Sequence, residues 1–483
     1  MNINKSALKK LNTTISFSLK NPFKFISNNF KQPFFKDSSL KSKDPEIYNL
    51  IRKEEERQWI GLELIASENY VSGSVMRTLG SVLNNKYSEG QPGQRYYGGN
   101  QYIDIIENLA KSRTLKAFGL KDTEWHCNVQ ALSGSPANFS VYTAILNPGD
   151  KFMGLHLYSG GHLTHGFKTK DKKISASSVY FDTDFYYLDP NTGIIDYQDM
   201  KKRVMEFKPK LIICGGSAYT SDWDYKEFRE AADSVGAYLM ADISHISGLI
   251  AAGEHNNPFE FVDIVTSTSH KSLRGPRSAI ILCNYNRYPD LKEKIDFAVF
   301  PMMHGGPHNH QIAGVATQML EVSSPEFKEY AKQIKKNAKK LASCLIEEGE
   351  TLIGNGTENH LLLWDVRPKG LNGQLMEKGL ELIHATVNKN TIIGDKNALK
   401  PGGLRLGTCA VTTRGMKEDD MKTIAKFLCR FSEIAKTELG DKKPLLKNLI
   451  PALKENNKVQ NLAKEVSDFS KQFSVPGVED YNF

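Results

Sequence analysis

Residues 237–272 read AYLMADISHISGLIAAGEHNNPFEFVDIVTSTSHKS. Two short apolar runs stand in this stretch, and each ends in polar chemistry. The first, Ala237–Asp242, closes on an aspartate. The second, Val262–Thr266, runs into Ser267, Thr268, Ser269 and His270, then Lys271. Asp242 and Lys271 are 29 residues apart, room for one helix and one strand, so the two side chains are expected at neighbouring strand ends. In a sheet of this kind, ligands bind outside the carboxyl ends of the strands.

Similar runs occur at Lys151–Leu157, Leu211–Cys214 and Ala279–Cys283, with an amphipathic helix predicted over Asp224–Val235. This alternation predicts an α/β fold with a mostly parallel sheet covered by helices. Upstream, Asp44-Pro45-Glu46 reads as a helix start, with Ile47, Leu50 and Ile51 at helical spacing. Tyr87–Asn100 (YSEGQPGQRYYGGN) reads as an irregular functional loop, followed by a helix from Tyr102 to about Phe118. Downstream, a charged helix is expected over Pro325–Glu348 and strands at Leu361–Val366 and Leu404–Leu406. The expected layout is a leader at 1–43, an arm at 44–73, a large domain at 74–321 and a smaller α+β domain at 322–483.

The chain has 483 residues, 40% hydrophobic and 24% charged, which excludes a wholly disordered protein. No window offers the 18 or so unbroken apolar residues of a membrane span, so no membrane partner is expected. Six scattered cysteines without a CxxC argue against a disulfide or zinc framework. The net charge of +8 would suit a nucleic-acid binder. Seven lysines, however, fall in residues 1–36, which hold no acid, and no RNA-recognition signature appears. The leader is therefore read as a mitochondrial presequence, the alternative being a basic tail with no address on a cytoplasmic protein, and no nucleic-acid partner is expected.

Four features could build one site. Ser133-Gly134-Ser135 precedes Pro136 and an apolar helix, a place where backbone N–H groups and hydroxyls meet a phosphate; the alternative is a plain helix cap. Asp242 faces the crevice, or caps the next helix. Lys271 suits a Schiff base, since a lysine near buried strand ends loses protons readily. Arg405, in Gly402-Gly403-Leu404-Arg405-Leu406-Gly407, is costly to bury unless it binds an anion such as a carboxylate, or forms a structural ion pair. A phosphate cradle, an acid, a lysine and a carboxylate-binding arginine are what pyridoxal-phosphate chemistry on amino acids needs. His304, His308 and His310 lack an acid or cysteine to complete a ligand set, and His162 and His165 lack the glutamate of a zinc-protease helix, so no metal is expected.

On these residues the chain resembles the serine hydroxymethyltransferases. The matching stretches are Leu64–Tyr70 (LIASENY), Asn85–Gly99, Ser133–Asn138 (SGSPAN), Gly160–Gly166 (GGHLTHG), Ala241–Gly253, His270–Arg277 (HKSLRGPR), Thr386–Thr391 (TVNKNT) and Gly403–Thr408. The resemblance implies a fold-type-I enzyme with a seven-stranded, mostly parallel sheet in the large domain. It implies pyridoxal 5'-phosphate held by Lys271, and tetrahydrofolate as co-substrate for the interconversion of serine and glycine. Asp242 would pair with the ring nitrogen, His162 would stack on the ring and His245 would sit near its hydroxyl. Ser133, Gly134, Ser135, Gly305 and Gly306 would bind the phosphate, the last of these from a partner subunit. Ser217 and Thr268 would line the pocket, and His270 belongs to the same catalytic group. Arg405, Ser67 and His245 would hold the substrate carboxylate, with Arg277 also on the substrate side. Tyr87, Glu89 and Tyr97 would reach across a dimer interface, Glu89 transferring a proton. Leu157, Gly161, Leu163 and Asn390 would contact folate. A homodimer is the implied catalytic unit, paired into a dimer of dimers. This sequence departs from the family at Ala131, at Ser267, Ser269 and Ser272 around the lysine, at His304 for a glutamine and at Cys409 for a proline.

Overall fold

The computed structural model describes residues 39–395, 400–440, 444–478 and 481. The basic stretch 1–36 lies outside the described residues. Two compact units are present, residues 1–54 and 55–483. In the first, a short helix Leu40–Lys43, capped by the Ser39 side chain, precedes the expected helix start at Asp44. Asp44 caps the next helix, Pro45–Ile60, by accepting from the Ile47 N–H at 3.0 Å.

The second unit is built on seven strands: β1 Trp125–Asn128, β2 Lys151–Leu155, β3 Asp182–Tyr186, β4 Leu211–Gly215, β5 Tyr238–Asp242, β6 Ile264–Thr268 and β7 Ala279–Asn284. Their order is β1-β7-β6-β5-β4-β2-β3. All pairs from β6 through β5, β4 and β2 to β3 are parallel, while β7 runs antiparallel to both β6 and β1. The α/β, mostly parallel expectation is met. Alternate residues serve opposite faces: Leu211 and Ile213 join one core with Met240, Ile264 and Ile281, and Ile212 joins the other with Leu239, Val265 and Ile280. Burial on both faces explains why the central strands read as unbroken apolar runs. The two strands that the sequence did not disclose, WHCN (β1) and DTDFY (β3), are the two edges of the sheet. An edge tolerates polar residues, so periodicity fades there.

A second sheet follows: β8 Thr351–Leu352, β9 Leu361–Asp365, β10 Asn388–Asn390 and β11 Gly403–Gly407, in the order β8-β9-β11-β10 and antiparallel throughout. It has its own core around Trp364, Leu404, Leu406 and Phe431. The strand Leu62–Glu63 of the arm pairs in parallel with Ala385–Thr386, so Leu62 and Leu64 are buried in that same core. The helix Pro325–Glu347, capped by Ser324, buries Phe327 in the first core and Leu341 and Leu345 in the second. Tyr87–Asn100 is not wholly irregular, since Gly90–Gln91 and Gln94–Arg95 pair as a small hairpin.

Candidate active site

Asp242 is the last residue of β5, and it is held from several sides. Its Oδ2 accepts from Asn138 Nδ2 at 2.9 Å and lies 3.1 Å from His165 Nε2. Its Oδ1 accepts from the Ser244 hydroxyl at 2.6 Å and the Ser244 N–H at 3.2 Å. Asn138 sits on the helix Gly134–Ile145, and its own carbonyl accepts from Thr266 of β6 at 2.6 Å, which fixes the amide's orientation. Burial opposes the charge on Asp242, but the bond to His165 and the nearby His162 and Lys271 outweigh it and hold the carboxyl well below the usual range. The group is an anion at any ordinary pH. The helix-cap alternative does not apply: the next helix, Ser247–Ala251, starts after Ile246 without a side-chain cap.

Lys271 lies just beyond β6, whose end is tied to the end of β5 by the Thr268 N–H donating to Ser244 Oγ at 3.0 Å. This is the neighbouring-strand placement that the spacing predicts. Burial pushes the Lys271 amine down to about 8; Asp242 opposes this, while Arg405 and Arg277 add to it. Burial also keeps the surrounding imidazoles neutral. His162 is pushed down to about 4 and His270 to about 3, and His245 falls well below its ordinary value. His245 Nδ1 is 3.3 Å from His360 Nε2, and the two rings stack at 5.5 Å. Arg277 is exposed and reaches this group through its charge.

Two ends near the pair could each take an anion. At one, Ser133 and Ser135 are exposed at the start of the helix Gly134–Ile145, and Ser133 makes no capping bond of its own. A Cβ on Gly134 would stand 2.7 Å from Thr268 Cγ2, so only glycine leaves this turn room beside β6. Open hydroxyls, a free helix start and a tight glycine turn fit a phosphate. At the other end, Arg405 of β11 is buried yet makes no ion pair among the described residues. It donates to Asn388 Oδ1 at 3.1 Å, the Ser217 carbonyl at 2.7 Å and the Ser67 hydroxyl at 3.3 Å, all neutral. Burial alone brings it down to about 10, and none of these partners neutralises its charge, so it is free to take an anion such as a carboxylate. Between the two ends, the backbone turns sharply after β2. The Gly160 carbonyl accepts from Ser217 and Ala218 N–H groups at 2.7 and 3.1 Å, and a Cβ on Gly161 would collide with the Leu155 carbonyl. Leu157 and Gly161 belong to this turn, and the exposed Leu163 directly follows His162, whose Nδ1 is 2.7 Å from Thr164 Oγ1. Asn390, on β10, turns its amide to the Thr391 carbonyl.

Tyr87, Glu89, Tyr97, Gly305 and Gly306 form a separate group. The Tyr87 and Tyr97 rings meet edge-on at 5.3 Å, Gly306 lies against the Tyr87 ring, and Gly305 lies close to Glu89 Oε1. Hydrogen bonding to Glu89 raises the Tyr87 phenol. Among the described residues, no hydrogen bond or ion pair joins this group to Asp242, Lys271 or Arg405. His304, beside it, has its Nδ1 placed to donate to the Val299 carbonyl, 3.2 Å away, and burial lowers its value.

Several members of the site were not read from the sequence. His165, Asn138, Ser244, Asn388 and His360 all touch residues that were. Asn138, His165, Ser244 and Asn388 fall inside the stretches SGSPAN, GGHLTHG, Ala241–Gly253 and TVNKNT without a role having been read for them in the site, and His360 falls outside all of these. The donor atoms of His162, His165 and Asp242 lie within 4.8 Å of one another, but the Asp242 carboxylate is already bonded to Asn138, His165 and Ser244, and His162 Nδ1 to Thr164.

Comparison with known proteins agrees with this geometry. The family model described as serine hydroxymethyltransferase matches residues 40–428. A protein named serine hydroxymethyltransferase 4 from Arabidopsis thaliana is 50% identical over 91% of this chain and 96% of its own length. The Arabidopsis protein named serine hydroxymethyltransferase 3, chloroplastic, is 49% identical over 92% of this chain and 85% of its own length. A Bombyx mori serine hydroxymethyltransferase is 50% identical over 92% of this chain and 99% of its own length.

Proposed function

This chain belongs to the serine hydroxymethyltransferase family, enzymes that use pyridoxal phosphate to interconvert serine plus tetrahydrofolate with glycine plus 5,10-methylenetetrahydrofolate, and from that premise we propose how its own residues divide the work. When bound, pyridoxal phosphate supplies a carbonyl for the amino group and a ring that stabilises the carbanion left at the α-carbon. Lys271 holds the cofactor, its lowered amine being readily deprotonated for attack and exchange. Asp242, an anion braced by Asn138, His165 and Ser244, keeps the proton on the ring nitrogen. Ser133, Gly134 and Ser135 take the phosphate, with Thr268 and Ser217 along the pocket wall. Neutral His162 packs on the ring without competing for its charge.

Arg405 and Ser67 bind the substrate carboxylate, with His245 beside them, and so orient the bond that breaks. Leu157, Gly161, Leu163 and Asn390 form the folate side. Glu89 moves the proton of the substrate hydroxyl, a role that needs a positioned carboxyl. Glu89, Tyr87, Tyr97, Gly305 and Gly306 reach the site of a second copy, which accounts for their separation from Lys271 within one chain. A homodimer is therefore the catalytic unit, two of which pair as a tetramer.

The single observation that carries this reading is the Asp242–Lys271 pair between an open serine turn and an unpaired buried arginine. Purified protein is expected to show the visible absorbance of lysine-bound pyridoxal phosphate, lost in Lys271→Ala. It is expected to turn over serine with tetrahydrofolate far faster than it cleaves threonine. A colourless wild-type protein, or threonine cleavage as the faster reaction, overturns the reading. The leader is proposed as a mitochondrial address; residues 1–36 fused to a reporter and found diffuse in the cytosol would refute that.

A further inference from the structure

Lys271 needs a main chain that stays put while its side chain leaves and returns, and one residue outside the assigned machinery is bonded to that main chain. The Lys271 carbonyl accepts from Asn69 Nδ2 at 2.9 Å, and from the Arg274 N–H at 3.0 Å. The Asn69 amide is saturated. Nδ2 donates a second bond to Tyr330 Oη at 2.8 Å, and Oδ1 accepts from the Tyr70 N–H at 2.9 Å and the Thr413 hydroxyl at 2.7 Å. The two backbone partners, a carbonyl on one side and an N–H on the other, leave only one orientation for the amide.

The partners come from distant parts of the fold. Tyr330 is on the helix Pro325–Glu347, and its hydroxyl also reaches the Cys409 carbonyl at 3.3 Å. Thr413 ends the short helix Cys409–Thr413 that follows β11 and Arg405, and it lies 2.9 Å from Tyr330 Oη. Ser67, two residues before Asn69, accepts from Arg405. The loop being held is itself strained: Arg274 is a non-glycine residue at φ +61°, with its Nε donating to the Tyr70 carbonyl at 3.0 Å. A strained loop persists only where its surroundings over-determine it.

We infer that Asn69 is a positioning residue for Lys271: its saturated amide fixes the peptide that carries the cofactor lysine and ties it to the segments bearing Ser67 and Arg405. The inference rests on Lys271 being the cofactor lysine. Removing the Asn69 donors frees the 271–272 peptide to rotate, so the amine no longer returns to one place. The substrate carboxylate still meets Arg405 and Ser67.

The test uses full-length Asn69→Ala and Asn69→Asp, with Thr413→Val as the control that removes a network bond but keeps the one to Lys271. Cofactor is stripped and returned, and the rate of regaining the visible absorbance is followed, together with Tm and steady-state kinetics. Both Asn69 variants are expected to reload at least tenfold more slowly and to lose kcat tenfold or more with serine KM within threefold. Thr413→Val is expected to lower Tm by a similar amount while its reloading stays within threefold of wild type. Wild-type reloading in either Asn69 variant, or equal slowing in Thr413→Val, overturns the inference. If Asn69→Ala and Asn69→Asp do not fold, Asn69→Ser is read the same way. A wild-type protein that never takes up the cofactor would instead sink the assignment of Lys271 itself.

Discussion

His165 Nε2 and Asp242 Oδ2 lie 3.1 Å apart, with His165 wholly enclosed, so the acid at the end of β5 is braced by a buried neighbour. The Asp242 carboxyl sits below its unfolded value of about 3.9 in consequence. Its contribution to stability is fully present above that unfolded value and is lost progressively as pH falls from there through the lower folded value. In His165→Leu the carboxyl keeps its burial and loses its brace, so its folded value rises toward the unfolded one and the acid loss should be shallower than in wild type. Tm measured from pH 3 to 6 on cofactor-free protein checks this; an acid limb that coincides with wild type would refute it. Cofactor affinity should fall in the same variant, since the ring proton is less firmly held.

Lys271 gives the opposite limb. Its amine is lowered to about 8 by burial, against an unfolded value of about 10.4. Between those values the unfolded chain binds more protons than the folded one, so cofactor-free protein should gain stability as pH rises through that window. Lys271→Met should remove that gain and be more stable at neutral pH. An amine-selective reagent should label Lys271 half-maximally near pH 8, well before surface lysines. A stability profile unchanged in Lys271→Met would contradict the assignment.

The pairing of Asp242 with Lys271 was legible because both close apolar strands, and strand order follows from helix-length spacing. Arg405 was legible because a buried arginine among glycines demands an explanation. The choice between its two explanations came only from its partners, Asn388, Ser217 and Ser67, none of them charged. The braces were not legible. His165 and Asn138 are 77 and 104 positions from Asp242, and His360 is 115 from His245. Such contacts are made by the tertiary fold and leave no periodicity or spacing in one sequence. The edge strands β1 and β3 were lost for a different reason, since half of their neighbours are missing and polar residues cost little there.

Gly134 offers a packing test of the phosphate turn. Gly134→Ala places a methyl group 2.7 Å from where Thr268 Cγ2 now sits, a collision worth about 1–3 kcal/mol. Pyridoxal-phosphate affinity should fall by roughly tenfold or more for that cost. Thr268→Ser removes Cγ2 and keeps the hydroxyl, so the double variant should recover most of the loss. Adjacent sites couple in this way by about 0.5–3 kcal/mol. Additive losses in the double variant would show that the turn fails for another reason.

Glu89 and Lys271 should be supplied to each site by different subunits, and mixing separates the two. Glu89→Gln alone should keep the visible absorbance and amino-acid binding but lose about 10²–10⁴-fold in folate-dependent turnover. Lys271→Ala alone should be inactive. When the two are unfolded, mixed in equal amounts and refolded, about half of the dimers are hybrids. In a hybrid, one site receives both wild-type groups and the other receives neither. Activity should therefore return to roughly a quarter of wild type in a symmetric dimer. If both groups came from one chain, every site in the hybrid would lack one of them and no activity would return. The outcome decides whether the Tyr87–Glu89–Gly306 group, which no hydrogen bond or ion pair joins to Lys271 among the described residues, serves the Lys271 of its own chain or that of a second copy.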